Sequence, residues 1–213
     1  MRQEKIVQVF SAAKAILTDT HVVYTSGKLG DAYVNKDAIY PHTRAISLLC
    51  GELAERFGDS QVDVVIAPAI GGVILSQWVA HHLSKIKWDE VLGVYAEKSA
   101  IGNEFIIRRG YDKLVAGKNV LVVEDVLTTG GSAKKVIEAV RAIGGNVIGL
   151  GVLCNRGGIT PKDVGDVPRL TALMNITLES WNEEDCPLCK RGVPINTSVG
   201  KGSEFLARRK ASK

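Results

Sequence analysis

The stretch Val120-Leu121-Val122-Val123-Glu124-Asp125-Val126-Leu127-Thr128-Thr129-Gly130-Gly131-Ser132 decides how this chain is read. It opens on an apolar, β-branched run that suits a strand buried on both faces of a sheet. Two acids follow, and then a turn rich in hydroxyls and glycine. From Ala133 the pattern is helical, with Val136, Ile137, Val140 and Ile143 on one side and Lys134, Lys135, Glu138 and Arg141 on the other. Gly144 and Gly145 close that helix. Glycines let a backbone approach a ligand, the hydroxyls of Thr128, Thr129 and Ser132 donate hydrogen bonds, and the first-turn amides of a helix attract phosphate. Glu124 and Asp125, at the carboxyl end of the strand, would meet the rest of that ligand; a pair of acceptor-only carboxylates suits the vicinal hydroxyls of a ribose.

The pattern therefore reads as a ribose 5-phosphate site. A dinucleotide fingerprint needs glycines directly after the strand and an acid about 20 residues later. Here the acids come first. A kinase-type P-loop needs a Lys after its glycines, and Ser132 is followed by Ala133. An ordinary turn would not call for two acids, three hydroxyls and two glycines within nine residues.

Working outward, short β-branched runs alternate with helical segments, without a Ser/Gly-rich linker. This is the signature of an α/β fold with a central, mostly parallel sheet flanked by helices. The strands are expected at 62–67, 91–96, 119–124, 147–154 and 169–174, and helices at 43–57, 73–83 and 133–143. Residues 41–176 form the core. The first 40 residues and 177–205 lack this rhythm and are assigned to a small hood built from both termini, within a single domain.

In 213 residues, 27 Lys+Arg against 23 Asp+Glu give a net charge of +4, with 46% hydrophobic and 23% charged residues. These values exclude a disordered, collagen-like or disulfide-scaffold chain. Arg208, Arg209, Lys210 and Lys213 match the whole net charge, so the body is close to neutral and no nucleic-acid-binding face is expected. The basic stretch 206–213 reads as a flexible tail. No apolar run approaches the roughly 18 residues of a membrane span, and the first residues do not lead into a signal-peptide core. A soluble, cytoplasmic protein is expected, and buried thiols at Cys50 and Cys154 fit a reducing compartment.

The segment from Glu124 to Ser132 resembles the phosphoribosyl diphosphate (PRPP) motif of type I phosphoribosyltransferases. The resemblance extends over nearly the whole chain toward the orotate phosphoribosyltransferases, in their longer bacterial and archaeal form. Tyr24-Thr25-Ser26-Gly27-Lys28 and Asp31-Ala32-Tyr33-Val34-Asn35 are similar to that family's amino-terminal hood motif. Ala67-Pro68-Ala69-Ile70-Gly71-Gly72 is similar to its pyrophosphate loop; Glu97-Lys98 and 105–111 are similar to its mobile loop. Cys186-Pro187-Leu188-Cys189 with Gly192-Val193-Pro194 resembles the tail of the long forms.

The resemblance implies phosphoribosyl transfer from PRPP to orotate, with Mg²⁺ carried mainly by PRPP and needing few protein ligands, so that no residue is assigned as a metal ligand. It implies that Asp125 and Glu124 hold the ribose hydroxyls; Thr128, Thr129, Gly130, Gly131 and Ser132 the 5-phosphate; Ala69, Ile70, Gly71 and Gly72 the pyrophosphate; and Lys28 and Lys98 substrate anions. Tyr33 would stack on the base and Arg156 would pair with its carboxylate, where a guanidinium fork fits. A homodimer is implied, with the loop of one subunit reaching the other's site.

The chain departs from the family pattern in its loop, where Ser99-Ala100-Ile101-Gly102-Asn103-Glu104 has no Lys, leaving Arg108, Arg109 or Lys113 as substitutes. Val34 stands where a second aromatic often occurs. Cys186 and Cys189 supply two ligands where a structural zinc wants four, and His21, His42, His81 and His82 lack metal spacing. An incomplete site, a metal shared across a dimer and packed free thiols all fit that motif. Two other functions keep the PRPP motif: transfer to a purine base, and PRPP sensing without catalysis.

Overall fold

The strand that ends in the two acids lies inside a six-stranded sheet, and the order of its neighbours is the feature that matters for the site. The computed structural model describes residues 3–211. Helix α1 (Gln3–Ala12) leads into four two-residue strands: β1 (Ile16–Leu17), β2 (Val22–Val23), β3 (Leu29–Gly30) and β4 (Tyr33–Val34). Then follow α2 (Thr43–Glu55), β5 (Val64–Pro68), α3 (Gly72–Lys87), β6 (Leu92–Lys98), β7 (Phe105–Ile106), α4 (Tyr111–Val115), β8 (Asn119–Leu127), α5 (Gly131–Ala142), β9 (Asn146–Asn155) and β10 (Leu170–Asn175). Two short helices, α6 (Pro187–Lys190) and α7 (Gly202–Ala211), complete the described chain. No described helix is long and apolar enough to cross a membrane.

The chain divides into two compact units. One holds the start of the chain through Val7 together with Tyr40–Ile176; the other holds Gln8–Ile39 and the segment from Thr177 onward. In the first, the strand order is β10-β9-β8-β5-β6-β7, parallel except for β7, which pairs antiparallel with β6. All five residues of β5 are buried, as expected of a strand covered on both faces. Val64 and Ile66, Val120 and Val122, and Leu150 and Val152 alternate onto one face, where they share a core with Ala133, Val136, Ile137 and Val140 of α5. On the opposite face β9 carries glycines: a Cβ at Gly151 would stand 3.1 Å from Phe57 and 3.2 Å from Leu53. That bareness lets α2 lie close to the sheet.

The expected strands and helices are present, with two differences that matter. Strand β8 does not stop at residue 124; it continues to Leu127 because β9 stays in register beside it, Val126 facing Cys154 and Leu127 facing Asn155. Of the stretch 206–213 read as a flexible tail, residues 206–211 belong to α7, and Ser212 and Lys213 lie outside the described residues. Phe205 of α7 is buried, and the Arg208 and Arg209 guanidiniums lie 5.9 and 5.3 Å from its ring centroid, so part of the basic run is held by an aromatic face.

In the second unit, β1 pairs with β4 and β2 with β3, both antiparallel. Isolated bridges join His21 to Ile195 and Leu29 to Trp181, so the early and late segments interleave. Val23, Leu29, Cys186, Leu188 and Phe205 form its core.

Replacing Gly151 by Val should lower the urea midpoint, by about 1–3 kcal/mol of stability, because the added methyls overpack against Phe57 and Leu53. An unchanged midpoint would mean that α2 does not press on β9.

Candidate active site

The direction in which successive strands are added to the sheet reverses between the parallel strands β5 and β8. From β5 the chain moves through α3 to β6 on one side; from β8 it moves through α5 to β9 on the other. Ligands of open α/β sheets bind in the crevice beyond the carboxyl ends of two such strands. The pairing of β5 with β8 ends at Ile66–Val122, while β8 stays paired with β9 to Leu127–Asn155, so the two strands part at that end.

Each strand feeds a glycine-bearing turn. After β5, the Ala69–Ile70 peptide is cis, the Ala69 amide donates to the Ala96 carbonyl (2.8 Å), and Gly72 starts α3. A Cβ on Gly72 would lie 2.5 Å from that of Ala67, so only glycine lets the helix begin so close to the strand. After β8, Thr128, Thr129 and Ser132 are exposed around Gly130. Gly130 has φ +73°, and a Cβ there would meet Val164 at 2.7 Å, so both its conformation and its surroundings require glycine. The N-cap residue Gly130 has no side chain to cap α5, and the Gly131 amide in the first turn donates to Thr129 Oγ1 (3.4 Å).

Between the turns sit the acids, buried rather than solvated: Glu124 is 7% exposed and Asp125 4%. Glu124 Oε1 accepts from the Asp125 amide (3.2 Å) and Asp125 Oδ1 from the Val126 amide (2.7 Å). The Tyr40 hydroxyl donates to Asp125 Oδ2 (3.1 Å). Burial, and then the charge and hydrogen bond of Asp125, push the Tyr40 phenol well above the ordinary tyrosine value, so it stays a donor. Tyr40 is absent from the sequence reading. It lies 85 residues from Asp125 and carries no local motif, so only the fold discloses the pair.

Arg156 is placed at the end of β9. Its amide and that of Gly157 both donate to the Leu127 carbonyl, at 2.8 and 3.0 Å, which ties the residue to the turn after β8. Gly157 is packed so tightly that a Cβ would strike the Thr128 carbonyl. On the other side of the crevice, Lys98 shares a concavity of about 630 Å³ with Ala69, Ile70, Val73, Tyr95 and Glu97. The expected loop is a hairpin: Glu97 faces Ile106, Lys98 faces Phe105, and the Ser99 amide donates to the Glu104 carbonyl (2.8 Å). Of the three substitute cations, Arg109 is engaged at the hairpin base, its Nε 2.7 Å and its terminal nitrogen 2.6 Å from Glu97 Oε1.

The phosphoribosyl transferase domain family matches residues 36–183. The orotate phosphoribosyltransferase of Caldanaerobacter subterraneus subsp. tengcongensis is 39% identical over 206 residues, spanning 97% of this chain and all of that protein (100%). That of Pelotomaculum thermopropionicum is 41% identical over 194 residues, 91% of this chain and 95% of that one. The chain belongs to the orotate phosphoribosyltransferase family.

The fold of this family is also that of a solved orotate phosphoribosyltransferase from Mycobacterium tuberculosis H37Rv. Its complex with Fe(III) dicitrate matches with a TM-score of 0.63 at 22% identity, covering 81% of this chain and 95% of that one. Its complex with PRPP matches at 0.58 and 20% identity, covering 82% and 91%. Two family-implied residues belong to the other unit. Lys28 is exposed just before β3, in a concavity of about 660 Å³ that also holds Glu183, Arg208 and Arg209. Tyr33 is half-buried on β4, whose alternation turns Val34 into the interior, 5% exposed. A second aromatic at position 34 would therefore not reach the surface that Tyr33 occupies.

Tyr40→Phe should leave the fold intact and cut kcat about ten-fold or more, since a hydrogen bond to a charged group contributes about 1.5–3 kcal/mol. Steady-state kinetics at saturating substrates checks this, and unchanged kcat would remove Tyr40 from the site.

Proposed function

We propose that this enzyme transfers the 5-phosphoribosyl group of PRPP to the ring nitrogen of orotate, releasing pyrophosphate and giving orotidine 5′-monophosphate for pyrimidine synthesis. The observation that carries this reading is the buried pair Glu124 and Asp125 beside a crevice whose two rims are glycine-bearing turns. A sugar phosphate needs donors at one end and acceptors in the middle. Thr128, Thr129, Gly130, Gly131 and Ser132 supply the donors for its phosphate, and the two carboxylates accept from its hydroxyls.

In the proposed step the bond from ribose C1 to the pyrophosphate oxygen breaks as the bond to orotate nitrogen forms. Positive charge builds on the ring in between, as in glycoside cleavage. Most of the work is positioning and charge stabilisation. Asp125 and Glu124 stabilise the cationic sugar. Ala69, Ile70, Gly71 and Gly72 receive the departing pyrophosphate, with Lys98 in the same concavity. Arg156, held beside the β8 turn, pairs with the carboxylate of orotate.

Mg²⁺ prefers oxygen ligands and keeps waters, so it would ride mainly on PRPP, and the buried acid pair is the donor set on the protein that fits it. When bound, it neutralises charge on the diphosphate. We also infer a homodimer in which the hairpin tip of one subunit reaches the other's site; Ile101 at that tip is 90% exposed, which supports a role outside its own fold. The buried, unpaired thiols of Cys50 and Cys154 support a reducing, cytoplasmic setting.

With Mg²⁺, PRPP and orotate the protein should consume orotate and release pyrophosphate, followed by absorbance. Asp125→Asn should lower kcat/KM by roughly a hundred-fold or more, in line with loss of a main electrostatic contact. Arg156→Ala should raise the KM for orotate far more than that for PRPP. Consumption of adenine or hypoxanthine instead of orotate would overturn the assignment of the base, and PRPP binding with no base consumed would overturn catalysis.

A further inference from the structure

The two hood cysteines are not alone. The imidazole of His21, 165 residues before Cys186 in the chain, is turned onto both thiols: His21 Nε2 lies 3.5 Å from Cys186 Sγ and 3.6 Å from Cys189 Sγ. All three ligand atoms lie within 4.8 Å of one another. We propose that His21, Cys186 and Cys189 form a binding site for a borderline-soft divalent cation, with Zn²⁺ the ion that fits, and that the ion fastens the early segment of the chain to the late one.

Geometry is the first argument. A tetrahedral ion with sulfur at about 2.3 Å and nitrogen at about 2.0–2.1 Å has sulfur-to-nitrogen edges of about 3.6 Å. The two sulfur-to-nitrogen separations, 3.5 and 3.6 Å, match that edge. The second argument is the state of the imidazole. His21 Nδ1 is 2.7 Å from the Val193 carbonyl, which can only accept, so Nδ1 carries the proton and Nε2 presents its lone pair to the thiols. A backbone carbonyl holding the far nitrogen of a ligating histidine is the usual support of such ligands.

The third argument is that the cluster is built rather than incidental. His21 is 2% exposed and Cys186 fully buried. The Cys189 amide donates to Cys186 Sγ (3.4 Å), which fixes the two cysteines relative to each other. The main chain of His21 is fixed as well: its carbonyl accepts from the Asn196 amide (2.7 Å), and it bridges to Ile195. Two thiolates and a neutral imidazole balance a divalent ion, so the occupied site carries no net charge into the hood core. Cys189 is the partly exposed member of the three, and a solvent water would supply the fourth ligand. The soft donor set disfavours Mg²⁺, which keeps this site separate from the chemistry proposed for the crevice.

The test uses the full-length chain without an affinity tag, purified under reducing conditions and free of chelator. Elemental analysis should find one Zn²⁺ per chain. After its removal, titration with Co²⁺ should produce a thiolate-to-cobalt charge-transfer band that Zn²⁺ then abolishes. Cys189→Ser should lose the band, His21→Asn should weaken binding at least ten-fold, and Cys50→Ser should change nothing. Chelation should lower the melting temperature of the parent protein but not of Cys189→Ser. A parent chain that takes up neither ion, or an undiminished band in Cys189→Ser, would overturn the proposal. The Co²⁺ spectrum of the parent chain decides even if a variant fails to fold.

Discussion

The parting of β5 from β8 is the constraint on which the rest of the site depends. Inside the sheet both strands are saturated by neighbours, and their apolar side chains fill layers on both faces. Beyond Ile66–Val122 that mutual pairing stops, yet β8 remains anchored to β9. The end of β8 is thus rigid and bordered by a gap. Polar groups there cannot rely on a strand on each side, and Glu124 and Asp125 turn their own side chains onto the amides of Asp125 and Val126. Rigidity and polarity coincide at one place, which is what a site for a charged sugar requires.

The acids show why burial and function are compatible here. A carboxylate withdrawn from water costs several kcal/mol unless hydrogen bonds compensate. Asp125 receives one bond from backbone and one from Tyr40, which fixes the orientation of both its oxygens. Burial and the neighbouring Asp125 hold the Tyr40 phenol above its ordinary value, so Tyr40 remains a donor to Asp125. On the proposed reaction, a carboxylate so placed would reorganise little as the neighbouring sugar gains positive charge, the kind of preorganisation from which much electrostatic stabilisation arises.

Much of this was legible in the sequence, for a definite reason. A parallel sheet prints its strands as unbroken apolar runs, and a glycine turn after a strand is a local pattern, so the core strands, α5 and the segment from Glu124 to Ser132 could be read without coordinates. What escaped was long-range or set by a neighbour. The length of β8 depends on β9, and the Tyr40–Asp125 bond depends on the fold of the intervening chain. The basic run at 208–210 reads as a tail until Phe205 is seen to offer its ring. His21 shows the same limit most sharply: no spacing rule links it to a CxxC that lies at the far end of the chain, whereas folding brings the three together. Cys50 and Cys154 behave as sequence composition suggests, since burial pushes the Cys154 thiol up to about 12 and that of Cys50 higher still.

The loop without its family lysine poses a charge problem that the hairpin answers. Pyrophosphate leaves with several negative charges, and Glu97 sits in the concavity where, on the proposed reaction, it departs. Left alone, that carboxylate would repel the leaving group and cancel Lys98 beside it. Arg109 removes the conflict: two of its nitrogens close on one Glu97 oxygen, and the hydrogen bond to Glu97, followed by its charge, holds the guanidinium above its ordinary value. The pair is exposed to solvent and contributes little to stability. Its consequence is electrostatic. With Glu97 neutralised, Lys98 stands as net positive charge against Ala69 and Ile70, so a cation is available at the strand end even though the hairpin tip from Ser99 to Glu104 carries none.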